Sequence, residues 1–164
     1  MYLIDANVLM EAHATFYPID RIPQFWDWLV EQGVAGLIKI PYEIHQEFDG
    51  KRGLHVEWIN DQVVKAALLL NENADPALVV RAINSGYQGQ DPRFNDVEHA
   101  KYGADPFLIA YALAAPERTV VTREVSKRKQ RLGNSKLPDA CDDCGVEWIT
   151  DFELYRRLNF NLKR

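Results

Sequence analysis

The chain opens on Tyr2, Leu3 and Ile4, three apolar residues without polar alternation, followed at once by Asp5. A strand with one wet face alternates in polarity, so this run predicts a strand covered on both faces, as in a parallel sheet sandwiched by helices. Asp5 then stands at the strand's carboxyl end, the edge where open α/β sheets bind their ligands. Asn7 reads as the N-cap of a helix through Val8, Leu9, Met10, Glu11 and Ala12. On this stretch alone, Asp5 is equally well explained as a turn or capping residue. The chain, however, repeats the arrangement.

Leu37 to Ile40 predicts a second short strand, broken by Pro41 into a helix from Tyr42 to Phe48. Glu43 and Glu47 lie i,i+4 on that helix and share a face, where they repel each other unless a positive charge is near. A solvated acidic stripe is the plain alternative. Further on, Ala104-Asp105-Pro106 starts an almost wholly apolar helix, with Asp105 at the N-cap and proline in the first turn, so the helix belongs in the middle of the fold. Thr119 to Thr122 is a third buried strand, and Glu124 stands just past its carboxyl end as Asp5 does past the first. Val146 to Ile149 is a last strand leading into a helix with Asp151 as N-cap.

The rest is scaffold. Pro23 opens a helix with Phe25, Trp26, Trp28, Leu29 and Val30 on a broad apolar face and Gly33 as its stop. Val56 to Leu70 reads as one helix, Asp75-Pro76 starts another that fades by Gly86, and a polar loop runs to Arg93. This stretch is expected to form a helical cap or insertion over one end of the sheet. Trp26, Trp28 and Trp58, at helical spacing, are expected in the core. Together these segments predict an α/β chain, three layers α/β/α around a central parallel sheet, in a single domain of 164 residues.

With 47% hydrophobic and 26% charged residues the composition is that of an ordinary globular chain, and no apolar run approaches the ~20 residues of a membrane span. No basic and apolar leader precedes the first strand, and only two cysteines are present, Cys141 and Cys144, so a cytoplasmic, reducing location is expected. A net charge of -5 decides nothing about nucleic acid by itself.

If the first, second and Thr119 strands are neighbours, Asp5, Glu47 (with Glu43), Asp105 and Glu124 converge on one edge. Crowded carboxylates either take up protons or bind a hard cation. All-oxygen ligation suits Mg²⁺ or Mn²⁺, ions that serve phosphodiester hydrolysis by activating water and steadying charge on phosphorus.

Leu-Ile-Asp-Ala-Asn-Val-Leu at 3–9, Pro-Tyr-Glu-Ile-His-Gln-Glu-Phe at 41–48, Ala-Asp-Pro-Phe-Leu-Ile-Ala-Tyr-Ala at 104–112 and Val-Val-Thr-Arg-Glu at 120–124 resemble, in order and spacing, the four acidic motifs of PIN domains. These are Mg²⁺/Mn²⁺-dependent nucleases that include the VapC-type toxins of bacterial toxin–antitoxin systems, and the likeness runs from end to end, closest to a bacterial branch of unassigned function. The resemblance implies a ribonuclease with Asp5, Glu47 and Asp105 as metal ligands, Asn7, Glu43 and Thr122 in support, and an antitoxin protein as partner, with room for a homodimer. The family's fourth acid is an Asp two residues after the Thr, where this chain has Glu124. Between Glu43 and Glu47 the family interval favours Glu47.

After Glu124 there is no acid until past Pro138, while Lys127, Arg128, Lys129 and Arg131 cluster there, a solvated loop or a phosphate-binding patch. Cys141-Asp-Asp-Cys144 has zinc or redox spacing but lacks a second ligand pair, so plain reduced thiols are expected. The histidines His13, His45, His55 and His99 are scattered and read as surface or packing residues. Two rival classes remain. A haloacid-dehalogenase-like phosphatase needs an Asp two residues after its first, where Asn7 stands; a non-catalytic PIN-like module for RNA or protein would not need the acids.

Overall fold

The computed structural model describes residues 1–162. Four parallel strands, β1 (Tyr2–Ile4), β2 (Ile38–Lys39), β3 (Thr119–Val121) and β4 (Trp148–Ile149), form a sheet in the order β2-β1-β3-β4. Leu3, Ile4, Ile38, Val120 and Val121 are buried, as the absence of alternation demanded. Ile4 pairs with Val121, and the backbone N–H of Asp5 donates to Val121 O at 3.0 Å. The two central strands therefore end level, with Asp5 and Thr122 side by side.

Helices α1 (Ala6–Glu11) and α2 (Pro23–Val34) connect β1 to β2. The crossover back over β1 carries α3 (Tyr42–Gln46), α4 (Leu54–Asn60), α5 (Gln62–Leu68), α6 (Pro76–Gly86), α7 (Asp96–Lys101) and α8 (Asp105–Leu113). After β3 come α9 (Leu137–Cys144), β4 and α10 (Asp151–Arg157). Right-handed crossovers in opposite directions place α2 on one face of the sheet and α8 and α9 on the other, giving three layers. On the α2 face the core is aromatic: Tyr155 of α10 sits edge-on to Phe25 at 5.4 Å and to Trp28 at 5.9 Å, all three buried. Truncating Phe25 to alanine there would cost roughly 3–5 kcal/mol. Trp26 and Trp28 are buried and Trp58 packs against the core, as expected of all three.

The middle of the chain differs from its sequence reading in two ways. Val56 to Leu70 is not one helix, because Asp61 leaves the helical region at ψ 141° and its Oδ1 caps α5 by accepting from the N–H of Val63 at 2.8 Å. Nor does the stretch cap one end of the sheet. Instead α5 packs on α2 and β2, while α6 packs on α8 and α9, so the insertion is divided between the two outer layers. Gly33 is not a stop but lies inside α2, where a Cβ would meet Ala67 O at 2.8 Å; its missing side chain lets α5 approach. A second close crossing occurs at Gly133, in the loop before α9, where a Cβ would come within 2.1 Å of Glu98 O in α7.

Among the described residues no helix is long and apolar enough to cross a membrane. Cys141 and Cys144 are buried, unpaired and one turn apart on α9, and burial pushes the Cys141 thiol well up and the Cys144 thiol to about 11. That is the environment of inert structural thiols. His13 and His55 stack at 4.7 Å, and buried His45 places Nε2 3.2 Å from Ile59 O.

Candidate functional site: four carboxylates at the sheet edge

The level ends of β1 and β3 build the site outward from Thr122. Its hydroxyl donates to Asp5 Oδ2 at 2.9 Å, accepts from Asn7 Nδ2 at 3.2 Å and accepts from the backbone N–H of Glu124 at 3.2 Å. One buried hydroxyl thus fixes the acid of the first motif, its polar neighbour and the turn that carries the last acid. Asn7 is not the N-cap of α1, a position held by Asp5 without a side-chain cap bond. Asn7 lies in the first turn, and its Oδ1 accepts from the N–H of Arg123 at 3.1 Å, tying α1 to the chain beyond β3.

Asp105 and Glu47 approach from the crossover. Asp105 is the first residue of α8 rather than its cap; Ala104 occupies the cap and no side chain bonds there. Freed from capping, Asp105 accepts from the hydroxyl of Tyr87, a fully buried residue at the end of α6, at 3.1 Å. Glu47, at the end of α3, accepts through Oε1 from the N–H of Ala104 at 3.4 Å, so the positive end of α8 faces two acids at once. Glu124 accepts from the N–H of Leu137 at 3.0 Å and has Lys136 Nζ 3.9 Å away.

The four acids feel one another. Asp5, only 4% exposed, has its carboxyl pushed up to about 7, first by burial and then by the charges of Glu47 and Glu124, against the opposing pull of the Thr122 hydroxyl. Asp105 rises well above the usual carboxylate range through burial, with Asp5 and Glu124 adding to it. Burial raises Glu47 too, opposed by the Ala104 N–H and by Lys51 and reinforced by Glu124. Carboxyl groups perturbed by both desolvation and like charges mark a functional site more often than a structural one.

Glu43 is elsewhere. It accepts from Tyr111 at 3.5 Å, its Oε2 is buried without a partner, and it lines a separate hollow with Lys65 and Glu72. The i,i+4 pair therefore points to two different places, and Glu47 is the member that joins the others.

One member of the basic run is held by its own chain. Arg128 is clasped by Asp139 at 3.2 Å, Asp142 at 2.5 Å and Asp143 at 3.1 Å, and Arg131 donates to the carbonyls of Arg128 and Gln130. Lys127, Lys129 and Arg131 are exposed and have no carboxylate within ion-pair distance among the described residues, and Lys127 also contributes its backbone N–H to Asp139 at 2.7 Å. Sequence reasoning missed two residues here. Tyr87 gave no signal beyond an aromatic at a helix end, whereas Arg123, directly before Glu124, was legible as a cation but passed over for the longer run that follows it.

Among the described residues no three or more His, Cys, Asp or Glu side chains stand close enough together to hold a metal ion as they are placed. The donor set nevertheless fits a hard divalent ion: four carboxylates, each tethered through one oxygen to Thr122, Tyr87, Ala104 or Leu137. Their shared repulsion is what such an ion relieves.

A family profile described as "Domain of unknown function (DUF4411)" matches residues 2–162. No curated protein and no solved structure matches the chain.

Proposed function

The chain belongs to that family of unknown function, DUF4411, and on this premise we propose that it is a metal-dependent endoribonuclease, the toxin of a toxin–antitoxin pair. The observation that carries the reading is the convergence of Asp5, Glu47, Asp105 and Glu124 beyond the carboxyl ends of a parallel sheet, with Asp5 raised to about 7. The likeness of the four motifs to PIN domains supports RNA as the substrate and an antitoxin protein as the partner.

Asp5, Glu47 and Asp105 would hold Mg²⁺ or Mn²⁺. Bound there, the ion supplies Lewis-acid activation of water and charge stabilisation at phosphorus. The chain's own contribution is to preset the ligands. Thr122 fixes the Asp5 carboxylate, Tyr87 fixes Asp105, and the N-terminus of α8 holds Glu47 through the Ala104 N–H. Three anchors drawn from different elements would hold these carboxylates in place, so that little reorganisation is needed at the moment of reaction. Glu124, tethered by Leu137, is the acid left to accept a proton from the attacking water at Oε1, with Lys136 near enough to steady its charge.

Incubation of the purified protein with a panel of RNAs, in Mg²⁺, Mn²⁺ or EDTA, tests the reading. Cutting is expected only with metal, and an Asp5→Asn control is expected to be inert. Undiminished cutting in EDTA or by the variant would remove the metal site from the mechanism.

A further inference from the structure

Against the pair Arg123 and Asp151 lies a second concavity. Tyr17, Phe152, Tyr155 and Phe160 line, with Arg156 and Asn159, an open hollow of about 560 Å³ between α10 and the segment after α1. Four aromatic rings with two polar side chains are a lining that suits a planar heterocycle.

Arg123 joins this hollow to the acid cluster. It precedes Glu124 in the chain, and with Asn7, Glu11 and Glu124 it lines a cleft of about 410 Å³. Its guanidinium carbon lies 4.6 Å from the ring centroid of Phe16 and 5.3 Å from that of Phe152, and those two rings meet edge to face at 5.2 Å. Asp151 holds Nη1 at 2.5 Å. Nε and Nη2 have no hydrogen-bond partner among the described residues. A guanidinium with its plane fixed by two rings and one carboxylate, and with donors to spare, is set to take a phosphate oxygen.

We propose that the aromatic hollow seats one unpaired nucleobase of a single-stranded RNA, and that Arg123 takes the phosphate between that base and the acids. The proposal rests on the ribonuclease reading of the acid cluster and adds how the substrate lies across it. A base can enter such a hollow only when it has left its helical stack, so the substrate at this point is a loop, a bulge or an end. Stacking on Phe152 would tolerate any base, while Asn159 and Arg156 can read its edge.

The test uses the Asp5→Asn protein, in which cutting is disabled, and a fluorescein-labelled single-stranded oligoribonucleotide followed by anisotropy. In that background Phe152→Ala is expected to weaken binding about tenfold and leave its salt dependence unchanged, since stacking releases no counterions. Phe152 is 42% exposed, so its removal leaves the melting midpoint close to the parent's. Arg123→Gln combined with Asp151→Asn removes both charges and strands no buried carboxylate. That pair is expected to weaken binding and to lower the log–log salt slope by about 0.7. Equal affinity of the Phe152→Ala protein and its parent, or failure of the parent to bind the oligonucleotide, overturns the subsite. RNA cutting by the protein with Asp5 intact is scored separately. Ring-dependent binding without cutting keeps the base subsite and discards the ribonuclease, and cutting with ring-independent binding does the reverse.

Discussion

Two groups of carboxylates in this molecule have opposite fates. On α9, Asp139, Asp142 and Asp143 close around the single guanidinium of Arg128, and buried Asp139 gains a hydroxyl from Ser126 and an N–H from Lys127 as well. At the sheet edge, Asp5, Glu47 and Asp105 have a hydroxyl or an N–H each and one another for company, with the charge of Lys51 acting on Glu47. The first group gathers around a cation of its own chain. The second carries a charge debt, visible as upward pKa shifts at all three, that only protons or an added cation can remove. Acid count alone would not separate the two; the location of arginine does.

The sharpest way to break this contrast is to remove acids from the uncompensated group. Asp5→Asn, Glu47→Gln and Asp105→Asn are each expected to abolish RNA cutting, whereas Glu43→Gln, one helical turn before Glu47, leaves it intact in the same gel assay. Loss of cutting in Glu43→Gln would mean that the wrong member of the pair has been placed in the site.

Thermal melts compare the groups without a substrate. Mn²⁺ at a hundredfold excess over its dissociation constant is expected to stabilise the native protein by about 2.7 kcal/mol. Asp5→Asn should lose most of that response, and without metal it should melt at or above the native protein because a repulsion has been relieved. Equal metal-induced shifts would leave Asp5 an ordinary turn residue.

The pH dependence has a definite sign. Asp5 titrates near 3.8 when unfolded and near 7 when folded, so between those values the folded state holds the extra proton. Its contribution is fully present below the unfolded value and is lost as pH rises through the folded one. The metal-free protein is therefore expected to lose roughly 2–3 kcal/mol between pH 5 and pH 8 from this group. Denaturant melts of native and Asp5→Asn proteins across that range measure it, and parallel curves would contradict it.

The smallest effect belongs to the compensated group. Arg128→Gln is expected to lower the melting midpoint slightly and to leave the salt dependence of RNA binding where it was, because its guanidinium already serves three carboxylates. Replacing Lys127 and Lys129 together by alanine bounds what those two lysines contribute. A fall in slope greater than about 1.4 would exceed two phosphate contacts and return the run to the interface.

The strands, the parallel sheet and the placement of acids past the strand ends were legible because each depends on a local pattern: unbroken apolar triplets, prolines at helix starts, a carboxylate after each strand. What was not legible depends on partners distant in sequence. Asp105 and Asp151 look alike as helix-start acids and both invite assignment as caps, yet neither is one. Asp105 answers to Tyr87, eighteen residues earlier, and Asp151 to Arg123, twenty-eight residues earlier, while Ala104 and Thr150 hold the cap positions. Likewise the break at Asp61 turns on a local side-chain bond that competes with helix, which an apolar period running through it conceals. The pairing of Arg128 was hidden for the same reason as the role of Tyr87: only folding brings it to α9.

The close crossing at Gly133 decides how this molecule could be rebuilt. With no room for a β-carbon against Glu98 O, and with the Gly133 N–H bonded to Glu98 Oε2 at 2.9 Å, the loop before α9 and the helix α7 fit as lock to key. That loop leads directly to Leu137, whose N–H tethers Glu124. Anyone transplanting the segment after β3 into another scaffold, or exchanging it among relatives, has to move α7 with it, because the two stretches form one cassette although more than thirty residues of chain separate them.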